Sequence, residues 1–151
     1  MTLRRLSSRA NGQSMVEMAI VIPILLLLLL VIIDVGRCFY QYTWLRGTLE
    51  VASEYTAKGR KTTPGTSRLV SIQTVVAQTA AQGGIPAPTV TFVDSNGNNT
   101  PGAPSTDVRI ILTDTFTPLP PTAAIMAMLG LQAMQATTLT AEKTVRNEPY
   151  I

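Results

Sequence analysis

From Met18 to Ile33 the chain reads MAIVIPILLLLLLVII, sixteen apolar residues without interruption, six of them consecutive leucines. A helix built from this run has no polar stripe, so it cannot be the half-buried helix of an ordinary soluble domain. Extended back to Val16, across Glu17, the run has eighteen residues, or about 27 Å of helix at 1.5 Å per residue. That suits a hydrocarbon core of about 30 Å, and we read residues 13–33 as a transmembrane helix. A cleaved secretory signal has a shorter apolar region, followed by small residues. Here the run is followed by Asp34-Val35-Gly36-Arg37. Arg37 also stands where a lipoprotein signal needs a small residue before its cysteine, which leaves Cys38 as a passive thiol.

The flanks orient the span. Arg4, Arg5 and Arg9 precede it, which by the positive-inside rule keeps the N-terminus cytoplasmic. Phe39, Tyr40, Tyr42 and Trp44 follow it, an aromatic belt suited to the headgroup level. Everything after about Asp34 then faces outward. The formal charge of +3 comes entirely from the three leader arginines, because nine Lys/Arg balance nine Asp/Glu beyond Gly12. A nucleic-acid binder needs a basic stripe on its folded surface, so no nucleic acid is expected as a partner. The chain has no histidine and one cysteine. That excludes Ser-His-Asp and Cys-His catalysis, histidine metal sites, zinc clusters and an internal disulfide. We expect no catalytic residues, no cofactor and no small-molecule substrate. Asp94, Asp107 and Asp114 are the remaining acids that could gather on a sheet, but their spacing specifies no site.

Glu17 is a carboxylate inside the apolar segment. Such a charge costs about 2.5–3.5 kcal/mol on insertion scales and is a functional hypothesis by default. Its context is specific. The sequence Arg4-Arg5 to Arg9-Ala10-Asn11-Gly12, then Gln13-Ser14-Met15-Val16-Glu17, resembles a type IV prepilin processing site. The stretch from Gly12 to Pro23, with Asp34-Val35-Gly36-Arg37, is similar to the TadE-like family of the tight-adherence (Tad or Flp) pilus systems. The resemblance implies a leader over 1–12, cleavage between Gly12 and Gln13 by a prepilin peptidase, and Glu17 as the fifth residue of the mature chain. It implies a bacterial inner-membrane protein whose partners are other pilins or pseudopilins and pilus assembly proteins. Met18 replaces the tyrosine usual after the glutamate in Flp major pilins, and the chain is longer than they are, which favours the pseudopilin branch. Physically, the carboxylate of Glu17 can pair with the new α-amine of Gln13, on the same chain or a neighbour, and so fix register. Pro23 resembles the proline of many pilin stems, where its missing donor loosens or kinks the helix.

Val35, Cys38, Tyr42, Leu45, Leu49 and Ala52 alternate at spacings of three and four, which predicts an amphipathic stem helix over 34–58. A polar break follows from Lys58 to Gly65. Ser67 reads as the N-cap of a second helix through Gln82, closed by Gly83-Gly84. Strands are expected over 89–93, 108–113 and 138–146 from β-branched content and alternation. An Ala/Met-rich helix is expected over 122–135, as core or as a docking surface. The predicted fold is α+β: a long transmembrane and stem helix with a small head over 59–151, made of a second helix and a short antiparallel sheet. The alternative is an uncleaved single-span envelope protein whose outward domain binds or scaffolds a soluble partner.

Overall fold

The computed structural model describes residues 7–59, 67–103, 105–132 and 135–148, with side chains from Gly12 onward. The elements are α1 (Ser7–Ala57), α2 (Arg68–Gln82), β1 (Thr89–Asp94), β2 (Asp107–Phe116), α3 (Pro120–Met128) and β3 (Thr137–Arg146). The fold is α+β, as the sequence predicts. Arg4 and Arg5, the side chain of Arg9, and the polar break from residue 60 onward lie outside the described residues. The described residues fall into two compact units, one within Met1–Arg37 and Thr117–Gln135, the other within Cys38–Phe116 and Ala136–Ile151.

The first unit is dominated by the apolar run. α1 is one helix of 51 residues, and its helical assignment continues through Pro23, although proline removes the donor for the carbonyl one turn earlier. From Gly12 to Leu26 every residue is exposed. α3 ends at Leu129 and Gly130, the latter with φ +69°. It is therefore shorter than the expected 122–135, because glycine takes the left-handed conformation that closes a helix. Met134 lies outside the described residues.

The second unit holds the core. β2 is central and antiparallel to both neighbours, with Phe92 opposite Ile110 in β1 and Ala141 opposite Leu112 in β3. Val108, Ile110, Leu112, Asp114 and Phe116 alternate inward along β2, so the alternation read over 108–113 runs three residues further, to Phe116. This face joins Leu45, Leu49 and Ala52 of α1 and Ile72 and Val76 of α2 in one buried cluster. The stem face begins later than expected, since Val35 is 57% exposed. Ser67 caps α2, accepting a bond from the Val70 amide at 3.3 Å. A polar clamp closes the far end. Arg68 donates to the carbonyls of Gly102 and Thr56 and to Asn147 Oδ1. Asn147 in turn donates to the carbonyls of Pro101 and Ala103.

Because α1 supplies part of this core, the head needs it. A chain beginning at Cys38 retains Leu45, Leu49 and Ala52, whereas one beginning at Arg60 loses all three. Deleting a buried leucine costs about 2–5 kcal/mol, against about 5–15 kcal/mol for a whole domain. The longer chain is expected to melt cooperatively by circular dichroism and the shorter to show no folded baseline. Equal melting curves would remove the claim that the stem is part of the core.

Candidate functional site

Gly12 lies inside α1 near its start, and a Cβ added there would meet nothing within 4 Å. The fold thus gives no packing reason for glycine at this position. Gln13 and Glu17 are both exposed, and Gln13 Nε2 donates to Glu17 Oε1 at 3.2 Å. The carboxylate therefore lies over the turn that starts at residue 13. A helix beginning at Gln13 would have Glu17 close to its positive end, where an acidic group is favoured. Met15, Val16, Met18 and Ile20 around it are more than 60% exposed, so the charge sits on a helix whose flanks are apolar.

At the other end of the apolar run stands Asp34, which is fully buried. Its carboxylate accepts from the Leu119 amide at 3.1 Å, from Thr122 Oγ1 at 2.7 Å and from Arg37 Nη1 at 3.1 Å. Leu119, the residue preceding α3, makes no side-chain cap of its own. Asp34 supplies that cap from a distant part of the chain, since the first amides of a helix lack internal partners. Burial pushes its pKa up, but the bonds from Thr122, Leu119 and Arg37 outweigh it and hold the carboxyl below its ordinary value. In sequence, Asp34 marks the end of the span and belongs to the Asp34-Val35-Gly36-Arg37 likeness, with no local sign of this capping role. The available signal was a helix start, Leu119-Pro120-Pro121-Thr122, with no capping residue before it.

The aromatic residues divide. Phe39 and Tyr40 are 72% and 52% exposed, while Tyr42 and Trp44 are half-buried. Tyr40 Oη donates to the Gly83 carbonyl at 3.1 Å. The Trp44 ring lies so close to Gly83 that a Cβ there would fall 2.5 Å from it, and Arg46 sits 5.1 Å over the Tyr42 ring. Gly83, expected only as a helix stop, is therefore also a contact surface.

Cys38 is a free, half-buried thiol. The three head aspartates do not gather. Asp94 holds its own turn through the amides of Asn96 and Asn98. Asp107 and Asp114 stand at the start and near the end of β2, and Asp114 is bonded to Gln41. Among the described residues no group of three or more His, Cys, Asp or Glu could hold a metal ion. A cleft of about 330 Å³ beside α1 and β3 is lined by Tyr42, Arg46, Glu50 and Lys143, the last two being an ion pair.

Asp34→Ala would leave the Leu119 amide and the Thr122 hydroxyl without their acceptor, at about 1–3 kcal/mol for each buried group left unsatisfied. The expected result is faster amide exchange across α3, with the sheet unchanged. Since the folded pKa lies below the ordinary 3.8, this stabilisation is complete above that value and is lost as pH falls through the folded pKa. Protection of the α3 amides, relative to their intrinsic exchange rate, that stays constant as pH falls far below the ordinary carboxyl range would contradict the capping role.

Comparison with curated proteins and with solved structures returns no match. Residues 12–53 match the family model described as TadE-like protein. The match begins at the junction glycine and ends within the buried face of the stem, and over that stretch the chain is similar to that family.

Proposed function

We propose that this chain is a minor pilin or pseudopilin of a Tad (Flp) pilus system, acting in pilus initiation or assembly. Residues 13–33 anchor it in a bacterial inner membrane, with the N-terminus cytoplasmic and the part after Asp34 periplasmic or extracellular. A prepilin peptidase removes residues 1–12 between Gly12 and Gln13. The freed amine then pairs with Glu17, and the partners are other pilins, pseudopilins and inner-membrane assembly proteins. Phe39, Tyr40, Tyr42 and Trp44 follow the span at headgroup level, and Pro23 supplies the loosened point of the stem. The role is structural, without catalysis.

The observation that carries this reading is the coincidence at Gly12. The TadE-like match starts there, no packing contact requires glycine there, and the Gln13–Glu17 pair lies immediately beyond. Supporting it is the helix itself, which is long and apolar enough to cross a membrane.

The decisive variant is Glu17→Gln, which keeps the shape and removes the charge. Membrane insertion should become slightly easier, because an ionised side chain is costly in the span. Trimming should continue, giving a chain that begins at Gln13. Incorporation should fail, read as loss of crosslinks to the other pilins in the same sample whose N-terminus is sequenced. Normal crosslinking by a correctly trimmed Glu17→Gln chain would mean that the carboxylate is merely tolerated. A chain that keeps its leader, wild type or variant, would favour the uncleaved single-span alternative.

A further inference from the structure

α3 is the one described helix with no charged residue, and the sequence carries none from Thr115 to Ala141. Thr122 on its inner side is buried against Asp34, and Ile125 and Met126 are half-buried. Its other side and the turn after it are open, with Met128 86%, Leu129 43% and Leu131 50% exposed. A second row of partial cover lies on α1. Leu27, Leu30 and Val31 are half-buried, while their neighbours Leu25, Leu26, Leu28, Leu29 and Ile32 are exposed. At spacings of three and four this row leads from Asp34 back into the apolar run, one face of the helix. Residues 117–132 belong to the same compact unit as this row.

We propose that α3 lies in the outer leaflet of the membrane beside the outward end of the span, with Met128, Leu129 and Leu131 against lipid acyl chains. The inference rests on the anchoring proposed above and adds a second membrane contact to it. From Asp34 to Leu27 is about 10 Å along the helix, within the depth of about 5–10 Å at which interfacial helices lie. Nine residues are too few to cross a bilayer. Free interfacial helices hold to headgroups through a charged face. α3 has none, and the tie to Asp34 takes that place. Lipid is favoured over water because the exposed side chains are large and apolar, and over a protein partner because the same compact unit also exposes the apolar run of α1 around Leu28 and Leu29, the segment proposed to lie in lipid. A large apolar surface left in water is otherwise a rarity on folded chains.

The test uses the full chain carrying Cys38→Ser, reconstituted into phosphatidylethanolamine and phosphatidylglycerol vesicles. Single spin labels are placed through Met128→Cys, Leu28→Cys or Asn96→Cys. Asn96 is an exposed residue of the β1–β2 turn, and Leu28 is 58% exposed within the run. Collisions with oxygen, which concentrates in lipid, are compared with collisions with a water-soluble nickel chelate. The expected result is several-fold lower nickel access at 128 than at 96, with oxygen access at 128 close to that at 28. Nickel access at 128 equal to that at 96 would place α3 in water and overturn the proposal. Shielding from both reagents at 128 would mean protein cover, from a second copy or another pilin, and would overturn it too. If the label at 28 is itself nickel-accessible, the anchoring reading fails and takes this inference with it.

Discussion

The apolar surface of α1 between Met18 and Ile33, exposed except along the half-buried row Leu27, Leu30 and Val31, is the constraint on which the rest of the chain depends. No described part of the second unit carries a comparable surface, because its own apolar residues are already spent on a core around Phe92, Ile110 and Leu112. One continuous helix therefore serves two environments. Its first half has no polar face and suits lipid. Its second half turns Leu45, Leu49, Ala52 and Thr56 inward and leaves Arg46, Glu50 and Glu54 exposed. The change occurs within about three turns after Ile33, and four of the chain's eight aromatic residues, Phe39, Tyr40, Tyr42 and Trp44, lie there.

Asp34 stands at that change and reconciles two demands that usually conflict. A buried carboxylate is costly unless its oxygens are bonded. Here an amide, a hydroxyl and a guanidinium meet it, and in return a helix start far along the chain acquires its cap. Glu17, at the opposite end of the apolar run, has among the described residues the Gln13 side chain as its hydrogen-bond partner. The two acids thus differ in kind. Asp34 is satisfied within the fold, while the Glu17 carboxylate is exposed and, among the described residues, bonded to one side chain. That contrast is why a role in assembly is assigned to Glu17 and a structural role to Asp34.

Much of this was legible in residue order, because it depends on local periodicity. The six leucines, the Ser67 cap, the Gly83-Gly84 stop and the alternation of Val108, Ile110 and Leu112 each act within a few positions of themselves. What escaped depends on residues distant in sequence. Arg68 and Asn147 are 79 positions apart and Asp34 and Thr122 are 88 apart, and no pattern in either neighbourhood names the other. Val35 kept the stem spacing and still lies exposed, since periodicity tells which face a residue shares but not where its cover begins. The length of α3 was overread for the opposite reason. Ala and Met favour helix in any context, and only the left-handed turn at Gly130 stops it. At the junction, the leader, glycine and glutamate were readable as a motif, whereas the absence of any packing demand on Gly12 needed coordinates.

The measurement that bears most directly on the central claim is the intact mass of the wild-type chain extracted from membranes of cells with and without a prepilin peptidase. The proposed reading predicts a membrane-bound chain beginning at Gln13 when the peptidase is present, and a membrane-bound chain retaining residues 1–12 when it is absent. The same full-length mass from both cells, or recovery of the chain in the soluble fraction, would contradict it.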